Sequence, residues 1–151
     1  MLRGPSPCQT IPTSLLECVP LAHDAMMVVL PATHPLGNQT AVHVEHIADE
    51  PFIVSTGGCE PLITEVLRAA GATPKTQFTI RDMQTILTMV QEGFGVTIVP
   101  ELALPSKSPP VCMRPLTPSV HRQIGIVVRS WAQARPAVKD LFDYAQGWAK
   151  T

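Results

Sequence analysis

Between Pro51 and Pro100 the apolar positions alternate between strand-like and helix-like spacing. The segment reads PFIVSTGGCEPLITEVLRAAGATPKTQFTIRDMQTILTMVQEGFGVTIVP. Phe52–Ser55 is a short apolar run that opens into hydroxyls and glycines, as expected of a buried parallel strand ending in a loop. Over residues 59–70, Leu62, Ile63, Val66, Leu67 and Ala70 recur at helical spacing. Glu60 and Pro61 suit the first turn of that helix, and Gly71 suits the position just past its end. Lys75–Ile80 alternates as a strand. Residues 82–92 predict a second helix, N-capped by Asp82, burying Met83, Ile86, Leu87 and Val90 and stopped by Gly93. Gly95–Pro100 is again a continuous apolar strand.

Parallel strands joined by helices cross over right-handed, and ligands then sit at the carboxyl ends of the strands. Ser55, Thr56, Gly57 and Gly58 occupy such an end and precede a helix N-terminus, where free N–H groups and the helix dipole favour an anion. The other reading is a tight turn whose hydroxyls only cap the helix. Thr97, within the last strand, either faces a ligand or packs inward; alternation alone does not choose.

Outside this segment, strands are expected at Met26–Leu30, Val111–Met113 and Gln123–Arg129. A C-terminal helix starts near Pro136, with Val138, Leu141, Phe142, Ala145 and Ala149 at helical spacing. The 16 prolines cluster at 5–20, 31–35, 105–118 and 136, and the first cluster reads as a peripheral loop. No internal repeat is visible. The strands at 26–30 and 123–129 predict two crossings between lobes, with the second lobe built from about residue 36 to 119.

Composition narrows the function classes. A chain of 151 residues buries roughly 68–70% of the surface of its unfolded form. With 45% hydrophobic and 15% charged residues, against a usual charged share of about 25%, it is a folded domain. The net charge of −1 supplies no basic footprint for nucleic acid. No apolar run reaches the ~18 residues of a membrane span. The N-terminus MLRGPSPCQT has no hydrophobic signal core, so a cytoplasmic location is expected. Cys8, Cys18, Cys59 and Cys112 are irregularly spaced without a C-x-x-C, which favours reduced thiols.

Other chemistry is thin. His43 and His46 lie three apart, but no nearby ligand completes a zinc set, and a solvated helical turn accounts for them. No metal or cofactor is expected. The chain holds no G-x-S-x-G, Walker A or H-E-x-x-H, and its one G-x-G, Gly93-Phe94-Gly95, closes a helix rather than opening one. The expectation is a binding protein, not an enzyme.

Several stretches carry a family resemblance: AHDAMMVVLPATHPLG, ADEPFIVS, AAGATPKTQF and TILTMVQEGFGVTIVPELAL. Together they resemble the effector-binding domain of LysR-type transcriptional regulators, from about Pro20 to Ala149. VQEGFGVTIVP is the most specific piece and HPLG the next. The resemblance implies an α/β, two-lobed fold like type 2 periplasmic binding proteins, with mostly parallel sheets and crossover helices. It implies a small-molecule effector, expected here to be anionic, contacting Ser55, Thr56, Gly57, Gly58 and Thr97. It also implies a homo-oligomer that acts on DNA through a domain absent from this chain, and no membrane partner. Residues 1–33 and 120–151 would form the closing part of an incomplete first lobe, and residues 34–119 a complete second lobe. Peroxide-sensing members use a cysteine near this turn. Here no second cysteine follows in the helix to resolve a sulfenic acid, so Cys59 is expected to be a packing thiol. A solute-binding protein of the same fold, or a non-functional remnant, are the alternatives.

Overall fold

Met26, Val28 and Leu30 alternate with Val29 along strand β1 (Glu17–Pro31), so the strand carries an apolar residue toward each of its two faces. β1 is the first element of the computed structural model, which describes residues 16–148. After it come β2 (Val42–His43), β3 (Pro51–Ser55), α1 (Glu60–Ala69), β4 (Lys75–Ile80), α2 (Met83–Gln91), β5 (Thr97–Pro100), β6 (Val111–Thr117), β7 (His121–Val128) and α3 (Pro136–Trp148). Short 3-10 turns lie at Pro35–Asn38, Val44–Ile47 and Glu101–Ala103. The chain divides into two units, residues 1–24 with 121–151 and residues 25–120. Residues 25–31 of β1 therefore belong to the second unit, although the expected boundary stood at residue 33.

In the second unit the strands run in the order β2-β6-β1-β5, and β3 pairs with β4. A parallel bridge between Phe52 and Val96 joins β3 to the residue preceding β5. β3 and β4 are parallel, as are β2 and β6, but β1 runs antiparallel to both β5 and β6. The expected crossover connections hold for β3-α1-β4-α2-β5, whereas the strand that enters the unit makes the arrangement mixed.

Helices cover both faces. On one side Ile63 and Leu67 of α1 pack with Met26, Val28, Leu30, Phe52, Val96 and Ile98. On the other, Ile86, Leu87 and Val90 of α2 pack with Val29, Ile53 and Val99. The two-residue period of the strands sorts these side chains, one to each face. β6 continues past Met113 to Thr117 through Pro115, which pairs with Met27. Proline, lacking an N–H, is tolerated there because β2 pairs only with Leu116 and Thr117.

Gly95 decides how β3 meets β5. Its φ of +155° is one that L side chains rarely adopt, and an added Cβ would stand 2.5 Å from the carbonyl oxygen of Pro51. The close approach lets the Val96 N–H donate to that carbonyl at 2.8 Å and the Ile53 N–H donate to the Val96 carbonyl at 2.9 Å. Gly93, with φ +80°, turns the chain out of α2 two residues earlier. His34-Pro35-Leu36-Gly37 is likewise a packing device. His34 Nδ1 accepts from the Leu36 N–H at 3.2 Å and its Nε2 lies 3.2 Å from Glu50. An added Cβ on Gly37 would come within 2.9 Å of the Cys112 sulfur.

The first unit contains the N-terminal part of β1, with β7, which pairs with β1, and α3. The loop expected through Pro20 gives way to strand from Glu17 onward; residues 1–15 lie outside the described ones. The Asp24 side chain is fully buried, and Arg122 Nε and Nη2 both donate to its Oδ2 at 2.8 Å. Glu17 accepts from the Trp131 N–H at 2.7 Å, and the Trp131 ring meets Phe142 of α3 edge-on. Leu141, expected on the apolar face of α3, is 61% exposed, as is its neighbour Tyr144 at 66%. The expected Ala149 lies outside the described residues.

Gly95→Ala is expected to lower unfolding free energy by about 2–4 kcal/mol, combining backbone strain with a steric clash against main chain. Gly147→Ala, inside α3 with nothing near its Cβ position, should raise it by up to about 1 kcal/mol. Urea titrations of the two variants side by side are the check. Arg122→Ala removes two charge-assisted hydrogen bonds from a buried carboxylate and is expected to cost about 3 kcal/mol. A double-mutant cycle with Asp24→Asn should recover part of that loss.

Candidate ligand-binding turn

β3 and β4 run parallel in adjacent positions, so both deliver the chain to a helix at the same edge. Ser55 pairs with Ile80, and the Thr56 N–H donates to the Ile80 carbonyl at 3.0 Å. The turn Ser55–Gly58 and the residues Arg81 and Asp82 therefore leave the sheet side by side. Each leads directly into a helix N-terminus.

The two N-termini are treated differently. At α2, the Asp82 carboxylate accepts from the Thr85 N–H and the Thr85 hydroxyl, both at 2.7 Å. Those two hydrogen bonds hold its carboxyl below the ordinary aspartate value, the hydroxyl bond first. At α1 the N-cap position is Cys59, with no side-chain cap. Neither Ser55 nor Thr56 caps the helix. A carboxylate does reach the turn: Glu60 Oε2 accepts from the Gly58 N–H at 2.9 Å. Gly58 has φ +100°, which aims that N–H toward the helix start and favours glycine there.

Ser55 is 6% exposed, and its hydroxyl makes no hydrogen bond with a described residue. That oxygen lies 3.5 Å from where a Cβ of Gly57 would be, at the inner wall of the turn. Gly57 and Gly58 are exposed and Thr56 is half-buried. Thr97 stands apart from them. It is fully buried, and its hydroxyl donates to the Ile53 carbonyl at 2.8 Å. It packs inward on the α2 side and props the strand that carries the turn.

Cys59 is buried, 8% exposed, beside Ile63 and Leu67 in the core cluster. His43 and His46 stack loosely, ring centroids 5.5 Å apart. Among the described residues no group of three potential metal ligands comes together. None of their helices is long and apolar enough to cross a membrane. Sequence reasoning missed Glu60 as the partner of Gly58. An acid in the first turn of a helix was legible, but its backward reach to a glycine N–H depends on the turn's φ angles.

The fold is that of an α/β domain whose two crossover helices open at one sheet edge. The LysR substrate binding domain model matches residues 2–150, and the chain belongs to that family. An uncharacterized HTH-type transcriptional regulator of Bacillus subtilis, YvbU, is 34% identical over 137 residues, covering 89% of this chain and 47% of the relative. The chain thus spans about half the length of that relative. HinK, a LysR family transcriptional regulator from Pseudomonas aeruginosa, superposes with a TM-score of 0.80 at 21% identity, over 90% of this chain and 50% of that one. The effector binding domain of QuiR in complex with shikimate superposes at 0.77 with 22% identity, over 93% and 68%. These likenesses establish the fold as periplasmic-binding-protein-like. The relatives are transcriptional regulators, not enzymes, as expected from the missing catalytic motifs.

The Asp82 cap yields a pH prediction. Its folded-state pKa is depressed, so its contribution to stability is fully present above the ordinary aspartate range. It fades as pH falls through the depressed value, in acid below about pH 4. Asp82→Asn keeps a capping oxygen and should remove this part of the acid dependence with little change near neutrality. Asp82→Ala should lower the thermal midpoint at neutral pH as well. Thermal unfolding followed by circular dichroism from pH 2.5 to 7 separates the three proteins.

Proposed function

We propose that this chain is an effector-sensing module of a LysR-type regulator and that its Ser55–Gly58 turn receives the anionic group of a small metabolite. The observation that carries the reading is the Ser55 hydroxyl. Ser55 as a residue is 6% exposed, and its hydroxyl, which keeps some solvent access, makes no hydrogen bond with a described residue; it lies beside the glycines that open an N-terminus without a side-chain cap. A carboxylate seated there would accept from the Ser55 and Thr56 hydroxyls and from N–H groups of the turn, with the helix dipole adding to the attraction. The neighbouring α2 terminus offers no such opening, because Asp82 fills it.

Glu60 sets a competition. Its carboxylate holds the Gly58 N–H, so an anionic effector must displace a like charge. The shikimate in the QuiR complex is a carboxylate on a polyhydroxylated ring, and small hydroxy acids of that kind are the first ligands to try. Thr97 serves by supporting β3 from beneath. Around this site the reading places a cytoplasmic regulator, a homo-oligomer that reaches DNA through a separate domain. The exposed Leu141 and Tyr144 on α3 support self-association.

Calorimetric titration of the chain with a panel of small hydroxy and keto acids tests the proposal. For any acid that binds, Ser55→Ala is expected to weaken affinity about tenfold, the loss of one hydrogen bond to a charged group. Gly58→Asp should abolish binding, Glu60→Gln should strengthen it several-fold, and Cys59→Ser should leave it unchanged. Equal affinities for wild type, Ser55→Ala and Glu60→Gln, in folded variants, would remove the turn from the site.

A further inference from the structure

Resting on the reading of the turn given above, we propose that Arg81 is a second anion anchor beside it, and that the effector class is a short dicarboxylate. Ser55 pairs with Ile80, and the Thr56 N–H donates to the Ile80 carbonyl at 3.0 Å. Arg81 is the next residue, one position beyond the end of β4, and so leaves the sheet next to Thr56. Adjacent strands lie about 4.8 Å apart, a gap that a short diacid bridges. Across residues 55–60 and 80–85 Arg81 is the one cation. It is exposed, and its side chain makes no hydrogen bond or ion pair with another described residue.

The acids at this edge leave the guanidinium to a ligand. Glu60 Oε2 accepts from the Gly58 N–H at 2.9 Å, and Asp82 Oδ2 accepts from the N–H and hydroxyl of Thr85. Arg81 also stands against the local rule for its position. It directly precedes the Asp82 cap of α2, where the positive end of the helix dipole disfavours a cation. Local preference alone would not put an arginine there, and departures of this kind gather at functional sites. A bound anion relieves the repulsion, because it meets the guanidinium and the helix ends at once. One carboxylate of a diacid would take the Ser55 hydroxyl and the N–H groups of the turn, displacing Glu60. The other would meet the planar fork of Arg81, whose paired donors match a carboxylate. A monocarboxylate satisfies the turn alone.

The test is calorimetric titration of the full chain with succinate, malate and glutarate, and with the monoamide of each, which keeps the length and removes one charge. Low ionic strength is used, because an exposed pair is least screened there. Each diacid should bind more tightly than its monoamide. Arg81→Gln, a change at an exposed position, should lower diacid affinity about fivefold and leave the monoamide unchanged. Arg81→Lys should keep part of the preference, and Ser55→Ala should weaken diacid and monoamide alike. If Ser55→Ala weakens both while Arg81→Gln changes neither, or lowers both equally, the turn stands and the dicarboxylate assignment is overturned. If Ser55→Ala changes nothing, the turn falls and the second anchor with it. No saturable heat from any of the diacids, with a monocarboxylate still bound through Ser55, overturns the assignment and leaves the turn standing. No binding by any acid overturns both.

Discussion

The contact between Gly95 and the Pro51 carbonyl is the constraint on which the second unit depends. β3 and β4 form a two-stranded pair, and two strands alone are marginal in water. They become part of a larger arrangement through the Phe52–Val96 bridge. That bridge needs the main chain at Gly95 to come closer to Pro51 than any side chain permits. The Thr97 hydroxyl extends the same seam by donating to the Ile53 carbonyl. With β3 held against β5, Ile53 reaches the α2 cluster and Phe52 the α1 cluster, so one backbone approach aligns the core on both faces.

That alignment also creates the candidate site. Once β3 and β4 are parallel and in register, their helices must begin at the same edge, and both dipoles point their positive ends there. Closing α2 with Asp82 while leaving α1 without a side-chain cap concentrates the available N–H groups at Ser55–Gly58. Glu60 then partly offsets the field that an anion would meet. On the proposed reading, an incoming carboxylate would exchange with that of Glu60 at this turn.

The segments that carry the family resemblance serve packing. In VQEGFGVTIVP, Gly93 ends α2 and Gly95 admits Pro51. In HPLG, His34 caps a 3-10 turn and Gly37 makes room for Cys112. Gly37 and Gly95 resist substitution for steric reasons, Gly93 for its positive φ and His34 for its capping hydrogen bond, whatever the ligand. This is why such motifs identify a fold and say little about which molecule it binds.

The linear pattern of side chains by itself determined the helices and strands of the central segment. Spacing of 3.6 for 60–69 and 83–91, and continuous or alternating apolar runs for β3, β4 and β5, reflect local geometry that needs no partner. The Asp82 cap and the glycine stops were legible for the same reason, since each acts within a few residues of itself. Tertiary structure decided what depends on distant neighbours. It turned Thr97 inward to Ile53, a choice that alternation leaves open because both faces of β5 are covered. It let β1 begin at Glu17 and β6 run through Pro115, because a paired neighbour, or the lack of one, determines whether a proline is tolerated. It brought Arg122 to Asp24 across 98 positions of sequence, and it aimed the Glu60 carboxylate back at Gly58. Burial, pairing and the direction of a polar group are properties of the surroundings, and only the folded chain supplies the surroundings.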